Sequence, residues 1–289
     1  MKATLYRLIL GAFLIVLIGC SPLKPSQGIL MGNYYSMVAN YPNHFRKLNE
    51  RVVKLSLESD DLNSALYPSD SLRVAALVEA INKYEEELNF PDSIAKDLEL
   101  LDSYIGEYYT LIPNGFNIYK TLKSASVTVG GVFGLGSVAN SVLPDNEVQI
   151  TKVKKRKILA HFRRESENLH QSLGHLQFFI DHHLIPKIDY IDIRVKKDFQ
   201  SLFHGKNGTV SSLDHYFNYN KSFINYSQKL ILTRRLAVTV SESLGHAMAA
   251  ENEVKRMTIE RQRILKDSRH LQHLVNDLQK IKTLISETE

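Results

Sequence analysis

Cysteine is almost absent from the sequence, since Cys20 is the only one among 289 residues. A single cysteine cannot form a disulfide bond within its own chain. No second thiol exists for nucleophilic chemistry elsewhere, so a cysteine-dependent catalytic site is excluded if Cys20 has another role. The position of Cys20 near the start of the chain points to such a role.

A hydrophobic run long enough to cross a membrane is missing from the N-terminus. Lys2 and Arg7 precede an apolar run from Leu8 to Ile18, which would rise about 16 Å as a helix. This length is about half of the ~30 Å that a spanning helix must cover. The run therefore predicts a signal peptide over residues 1–19 rather than a membrane-spanning helix.

The residues Leu17-Ile18-Gly19-Cys20 end this run and resemble the lipobox of bacterial lipoprotein precursors. The resemblance implies that Cys20 is acylated and becomes the first residue of the mature chain. Two or more acyl chains anchor a protein stably, whereas one chain holds it only marginally. Membrane lipid, reached through acylated Cys20, is thus the first expected partner. The alternative is an ordinary secretory signal, or a short N-terminal helix, that happens to contain a cysteine.

Ser21, rather than an aspartate, follows the cysteine. By resemblance to the sorting rule of Gram-negative lipoproteins, a serine here favours the outer membrane as the destination. Residues 20–28 include Pro22, Pro25 and Gly28 and predict a flexible tether. A body over residues 29–289 would follow this tether and be displayed on the cell envelope.

A strong net charge of one sign is also lacking. The formal net charge of +5 falls to +3 when Lys2 and Arg7 leave with the signal peptide. This mild charge does not favour nucleic acid as a partner, and no recognisable nucleic-acid motif accompanies it. A Walker-type phosphate loop and a Gly-x-Ser-x-Gly nucleophile motif are missing as well. The sequence predicts neither an enzyme nor a bound cofactor.

Proline is absent after Pro186, and the segments between the earlier prolines have helical periodicity. The pattern predicts helices over residues 34–57, from residues 69–71 to 88, and from Pro91 to a point before Pro113. Serines and an aspartate at 69–71 are suitable N-caps, and Pro91 suits a first helical turn. The predicted fold class is therefore all-α.

Beyond residue 145 the pattern predicts a long antiparallel helical hairpin over 145–289. Its outbound arm is perturbed at Pro186 and continues towards Phe203, residues 204–208 form a turn, and the return arm continues to about Ile285. Apolar residues near the end of the chain have the spacing of a coiled coil that packs on the outbound arm, although a long helix that packs on its own bundle would have the same spacing. An elongated helical bundle of this kind suits a protein partner or self-association through its long helices.

Charged residues are absent from 124–144, an apolar insert whose most notable residues are Gly130, Gly131, Phe133, Gly134 and Gly136. Three interpretations remain open. The insert is a buried hairpin or close-packed helix, a membrane-active element, or a mobile glycine-rich loop or partner-docking surface. Its position between helical regions resembles the architecture of the cytolysin A and haemolysin BL pore-forming toxins. That resemblance implies a membrane-perturbing function as the alternative to a structural one.

Histidines are frequent on the outbound arm, at His161, His170, His175, His182 and His183. Glu167 and His170 form one Glu-x-x-His element, and Asp267 and His270 form a looser one. A di-iron bundle requires such elements from several helices that converge on one point. Isolated elements favour solvated helix faces, so the sequence predicts no metal. The expected function is a structural, scaffold or protein-interaction role in the bacterial cell envelope.

Overall fold

The computed structural model describes residues 25–64, 70–112, 152–204, 213–258 and 269–288. These residues form eight α-helices and one short π-helical turn, with no strand among them. The predicted all-α class is therefore confirmed, and the described residues pack as a helical bundle. Within the described ranges, no helix combines the length and apolar character that a membrane crossing requires.

The helices are numbered here in chain order. They are α1 (Pro25–Val38), α2 (Tyr41–Ser64), α3 (Asp70–Leu88), α4 (Asp92–Thr110), α5 (Lys152–Phe179), a π-helical turn (Ile180–Leu184), α6 (Ile185–His204), α7 (Leu213–Thr258) and α8 (Arg269–Thr288). The end of α4 at Thr110 agrees with the predicted stop before Pro113.

A break at residues 39–40 divides the helix predicted over 34–57 into α1 and α2. Asn40 caps the end of α1 by donating its side-chain amide to the carbonyls of Ser36 and Met37, at 3.0 and 3.3 Å. Pro42 has no backbone N–H and is best tolerated in a first helical turn. The side-chain cap and the proline together explain why the helix restarts at Tyr41.

The predicted perturbation at Pro186 takes the form of the π-helical turn. Within this turn, the N–H of Ile185 donates to the carbonyl of Ile180, five residues earlier instead of four. Pro186 lacks the donor that a regular helix would use at this point. The wider turn, and not a break, therefore carries the chain from α5 into α6.

Cross-helix hydrogen bonds show that the α5–α6 segment and α7 run in opposite directions. Gln177 donates to the carbonyl of Ser241 at 3.1 Å, and Arg234 donates to Asp189 at 2.7 Å. Residue numbers thus rise along one helix as they fall along the other. These contacts join residues on either side of the predicted turn.

The single return arm predicted as far as Ile285 is wrong. His246 on α7 and Asp277 on α8 are 2.5 Å apart, whereas 31 residues of continuous helix would separate them by roughly 46 Å. The chain therefore reverses between α7 and α8. As a result α8 packs mainly on α7, and not mainly on the outbound arm.

The core is built around large aromatic side chains from the first helices. Fully buried rings include Tyr34, Tyr35 and Phe45. Tyr35 stacks on Tyr108 of α4 at 4.1 Å and meets Phe162 of α5 edge-on at 6.3 Å. Burial of one such ring contributes about 1.5–3 kcal/mol relative to exposure. Helix α1 is thus tied directly to α4 and α5.

Candidate functional site

Four histidines face carboxylates on a neighbouring helix. The pairs are His161–Glu107 at 3.4 Å, His170–Glu251 at 2.9 Å, His175–Asp97 at 3.0 Å and His246–Asp277 at 2.5 Å. Three of these pairs link α5 to α4 or α7, and the fourth links α7 to α8. The acidic partners in the last three pairs are buried.

The prediction that the histidines of α5 lie on a solvated face is therefore wrong for His161, which is buried. Helix α5 packs against α4 on one side and α7 on another, so two of its faces are covered. Glu167 is exposed and lies 3.8 Å from Lys255, and His170 pairs with Glu251 rather than with Glu167. Residue 267 of the second predicted element lies outside the described residues.

Glu251 is the most deeply buried of these acids and has only one oxygen satisfied. Its Oε2 lies 2.9 Å from His170, while its Oε1 has no hydrogen-bond partner among the described residues. Burial raises the pKa of Glu251, and the hydrogen bond with His170 opposes this shift. Burial and then the charge of Glu251 raise the pKa of Tyr34.

A second cluster, which we call the α4–α5 cluster, consists of Glu107, His161, Arg164 and Glu165. His161 and Glu165 are four residues apart on α5, so their side chains lie on the same helix face. Glu107 reaches this face from α4. Glu107, His161 and Glu165 each offer a donor atom, and these three atoms lie within 4.8 Å of one another.

Hydrogen bonds fix the orientation of the side chains in this cluster. Nε2 of His161 lies 3.1 Å from the carbonyl oxygen of Tyr104. When Nε2 donates to this carbonyl, the other ring nitrogen, Nδ1, presents a lone pair towards Glu107. Asn168 donates to Oε2 of Glu165 at 3.4 Å. Burial lowers the pKa of His161, which favours the neutral ring.

Arg164 supplies the positive charge of the cluster. Its guanidinium donates to Oε2 of Glu107 at 2.9 Å and, through Nε, to Glu165. A cavity of about 280 Å³ adjoins the cluster and is also lined by Lys157, Ala160 and Leu111. The two acids and the buried imidazole therefore have the donor atoms that a cation requires, and Glu107 is open to solvent.

A larger open groove of about 890 Å³ lies between α7 and α8. Arg235, His273 and Lys280 line it together with Asp277 and Glu287, so its charges are mixed. The ring of His273 stacks on that of His246 at 5.2 Å. Because positive and negative side chains line it together, this groove indicates the kind of ligand less clearly than the α4–α5 cluster does.

The sequence-predicted site residues are not among the residues that the structure describes. Cys20 and the insert residues Gly130, Gly131, Phe133, Gly134 and Gly136 lie outside the described ranges. Sequence reasoning missed the α4–α5 cluster. The four-residue spacing of His161 and Glu165 was visible, but the contribution of Glu107 depends on how α4 packs against α5.

By its fold, the protein belongs to the class of all-α helical bundles, and histidine–carboxylate pairs link its helices. Comparison of the chain with protein-family models, curated proteins and solved structures gives no match.

Proposed function

We propose that this protein is a non-enzymatic lipoprotein of the bacterial cell envelope with a structural, scaffold or protein-interaction role. The lipobox-like sequence Leu17-Ile18-Gly19-Cys20 supports anchoring through acylated Cys20. Ser21 supports an outer-membrane destination in a Gram-negative cell. The partners would be membrane lipid and a protein that contacts the helical bundle.

The observation that carries the proposal is the short distance in sequence between Cys20 and the packed body. Helix α1 begins at Pro25, so residues 25–28 of the predicted tether are helical. Five residues from Cys20 to Pro25 span at most about 18 Å when fully extended. Met31 and Tyr34 are already fully buried. Acyl chains on Cys20 would therefore hold the bundle close to the lipid surface.

Two further features support a structural role. The histidine–carboxylate pairs join neighbouring helices of the bundle. Helix α3 leaves Val74, Val78 and Ile81 about half exposed. These three residues are separated by four and three positions and so share one helix face. A bundle held near a membrane, with apolar side chains available on one helix, suits contact with another protein.

Acylation is tested by expressing the full-length chain in a Gram-negative host with labelled palmitate. We expect label in the wild-type protein, and we expect Cys20→Ser to lose the label and leave the membrane fraction. Ser21→Asp is the matched control, since it should keep the label and move the protein to the inner membrane. Label in the Cys20→Ser protein would contradict the proposal.

A liposome assay distinguishes a scaffold role from the alternative, which is membrane perturbation by residues 124–144. Full-length protein acting as a scaffold should bind vesicles without releasing an entrapped dye. Dye release by the wild type that Gly134→Asp abolishes would contradict the scaffold role. The sequence of the insert is uncharged over these residues, which is why a single aspartate is an informative substitution.

A further inference from the structure

We propose that Glu107, His161 and Glu165 form a binding site for one divalent transition-metal ion, with Zn²⁺ as the probe, that links α4 to α5. The three side chains provide one imidazole nitrogen and two carboxylate groups. Zinc binds histidine nitrogen and carboxylate oxygen at about 2.0–2.2 Å and accepts water as a further ligand. Mn²⁺ and Fe²⁺ accept the same donor types.

The spacing of the donor atoms agrees with this chemistry. Two ligand atoms that are each about 2.1 Å from a tetrahedral ion lie about 3.4 Å from each other. Nδ1 of His161 and Oε2 of Glu107 are 3.4 Å apart. The third donor, from Glu165, lies within 4.8 Å of the other two.

Neighbouring groups orient the ligands as in known metal sites. Metal-binding histidines commonly donate their second ring N–H to a carbonyl or carboxylate, which fixes the tautomer. The Tyr104 carbonyl is placed to accept this hydrogen bond from Nε2 of His161. Asn168 donates to Glu165. Nδ1 of His161 is therefore left as the ring nitrogen that can bind a metal ion, and one oxygen of each carboxylate lies within 4.8 Å of the other donor atoms.

The guanidinium of Arg164 neutralises the negative charge of Glu107 and Glu165, as a bound metal ion would. It contacts both carboxylates, but its side chain is 65% exposed and can turn into solvent. Glu107 is 52% exposed, while His161 is 4% exposed. The buried imidazole and the exposed carboxylate give an ion access from one side. A divalent ion that binds here must displace Arg164, and this competition is part of the proposal.

A nearby histidine–carboxylate pair provides an internal contrast. His175 and Asp97 also join α5 to α4, and Asp97 accepts a hydrogen bond from Ser172 at 2.9 Å. This pair presents a single carboxylate, and its histidine is exposed. Two carboxylates and a buried imidazole are the features that distinguish the α4–α5 cluster. His175→Asn is therefore the matched control.

The test uses full-length protein purified in detergent, freed of metal with a chelator and titrated with Zn²⁺ by calorimetry. We expect one zinc site whose affinity falls at least tenfold in His161→Asn and in Glu107→Gln. Arg164→Ala should bind zinc several-fold more tightly because the competing cation is gone. His175→Asn should bind zinc as the wild type does. Co²⁺ should give a visible absorption band that His161→Asn abolishes.

Glu107→Gln keeps the test decisive if His161→Asn fails to fold, because Glu107 is half exposed and its substitution leaves the core unchanged. Circular dichroism establishes that each variant is helical. Absence of zinc binding by the wild type would overturn the proposal. Zinc binding that Glu107→Gln leaves unchanged would overturn it too, because surface histidines such as His182 and His183 would then account for the signal. Weaker binding by Arg164→Ala would refute the competition.

Discussion

Helices α2 and α3 are consecutive in the chain and pack against each other, yet they bury their apolar residues to very different extents. Phe45, Leu48 and Val52 of α2 are at most 1% exposed. Val74 and Val78 of α3 are 59% and 52% exposed. Both helices were predicted from helical periodicity, so periodicity does not determine how deeply an apolar face is buried.

The number of neighbouring helices explains the difference. Helix α2 packs against α3, α4, α6 and α7, whereas α3 packs mainly against α2. Helix α3 is also linked to α6 through Glu87 and Lys187, at 2.6 Å. An apolar face is buried only where a neighbour covers it. The apolar face of α3 is therefore part of the protein surface, while the apolar face of α2 is part of the core.

The largest expected effect comes from truncation of a core ring on α2. Phe45 contacts Phe90 and Phe179, with ring centres 5.4 and 5.8 Å away. Phe45→Ala should lower the free energy of unfolding by about 3–5 kcal/mol, because it removes buried surface and leaves a cavity. Urea unfolding measures this change. A loss below about 1 kcal/mol would show that α2 is not in the core.

A fall in pH should destabilise the folded protein through the protonation of His44 in α2. Burial lowers the pKa of this residue from 6.5 to about 4. Between these pH values the unfolded chain binds a proton that the folded chain excludes, so the free energy of unfolding falls as the pH falls. The loss by pH 4 is about 3 kcal/mol.

His44→Gln removes this titration and isolates its contribution. The difference in unfolding free energy between wild type and variant should shift by about 3 kcal/mol in favour of the variant from pH 6.5 to pH 4. Other acid-sensitive groups are common to both proteins and cancel in the difference. Parallel pH profiles would mean that His44 is accessible to protons in the folded state.

The smallest effect is expected on the exposed face of α3. Val78→Thr keeps the shape of the side chain and adds a hydroxyl that water can solvate, so stability should change by no more than about 0.5 kcal/mol. Val52→Thr in α2 is the matched control and should cost about 1–3 kcal/mol, because it buries a hydroxyl. If both substitutions changed the free energy of unfolding in urea equally, the two helices would not differ in how deeply these valines are buried.

The sequence determined the class of fold because helical periodicity and proline positions are local signals. The end of α4 and the perturbation at Pro186 were predicted for the same reason. The reversal between α7 and α8 was missed because the coiled-coil spacing of α8 fits any apolar neighbour. The pairing of His161 with Glu107 was missed because these residues are 54 positions apart, and only the packing of α4 on α5 brings them together.

The π-helical turn also reduces the rotation of the buried stripe along the α5–α6 segment. The buried residues Leu176, Ile180, Leu184 and Ile188 are spaced by four. In a regular helix each such step rotates the stripe by about 40°, so three steps would turn it about 120° away from the core. The wide turn takes up part of this rotation. The wide turn thus helps the buried residues of α5 and α6 to contribute to one core.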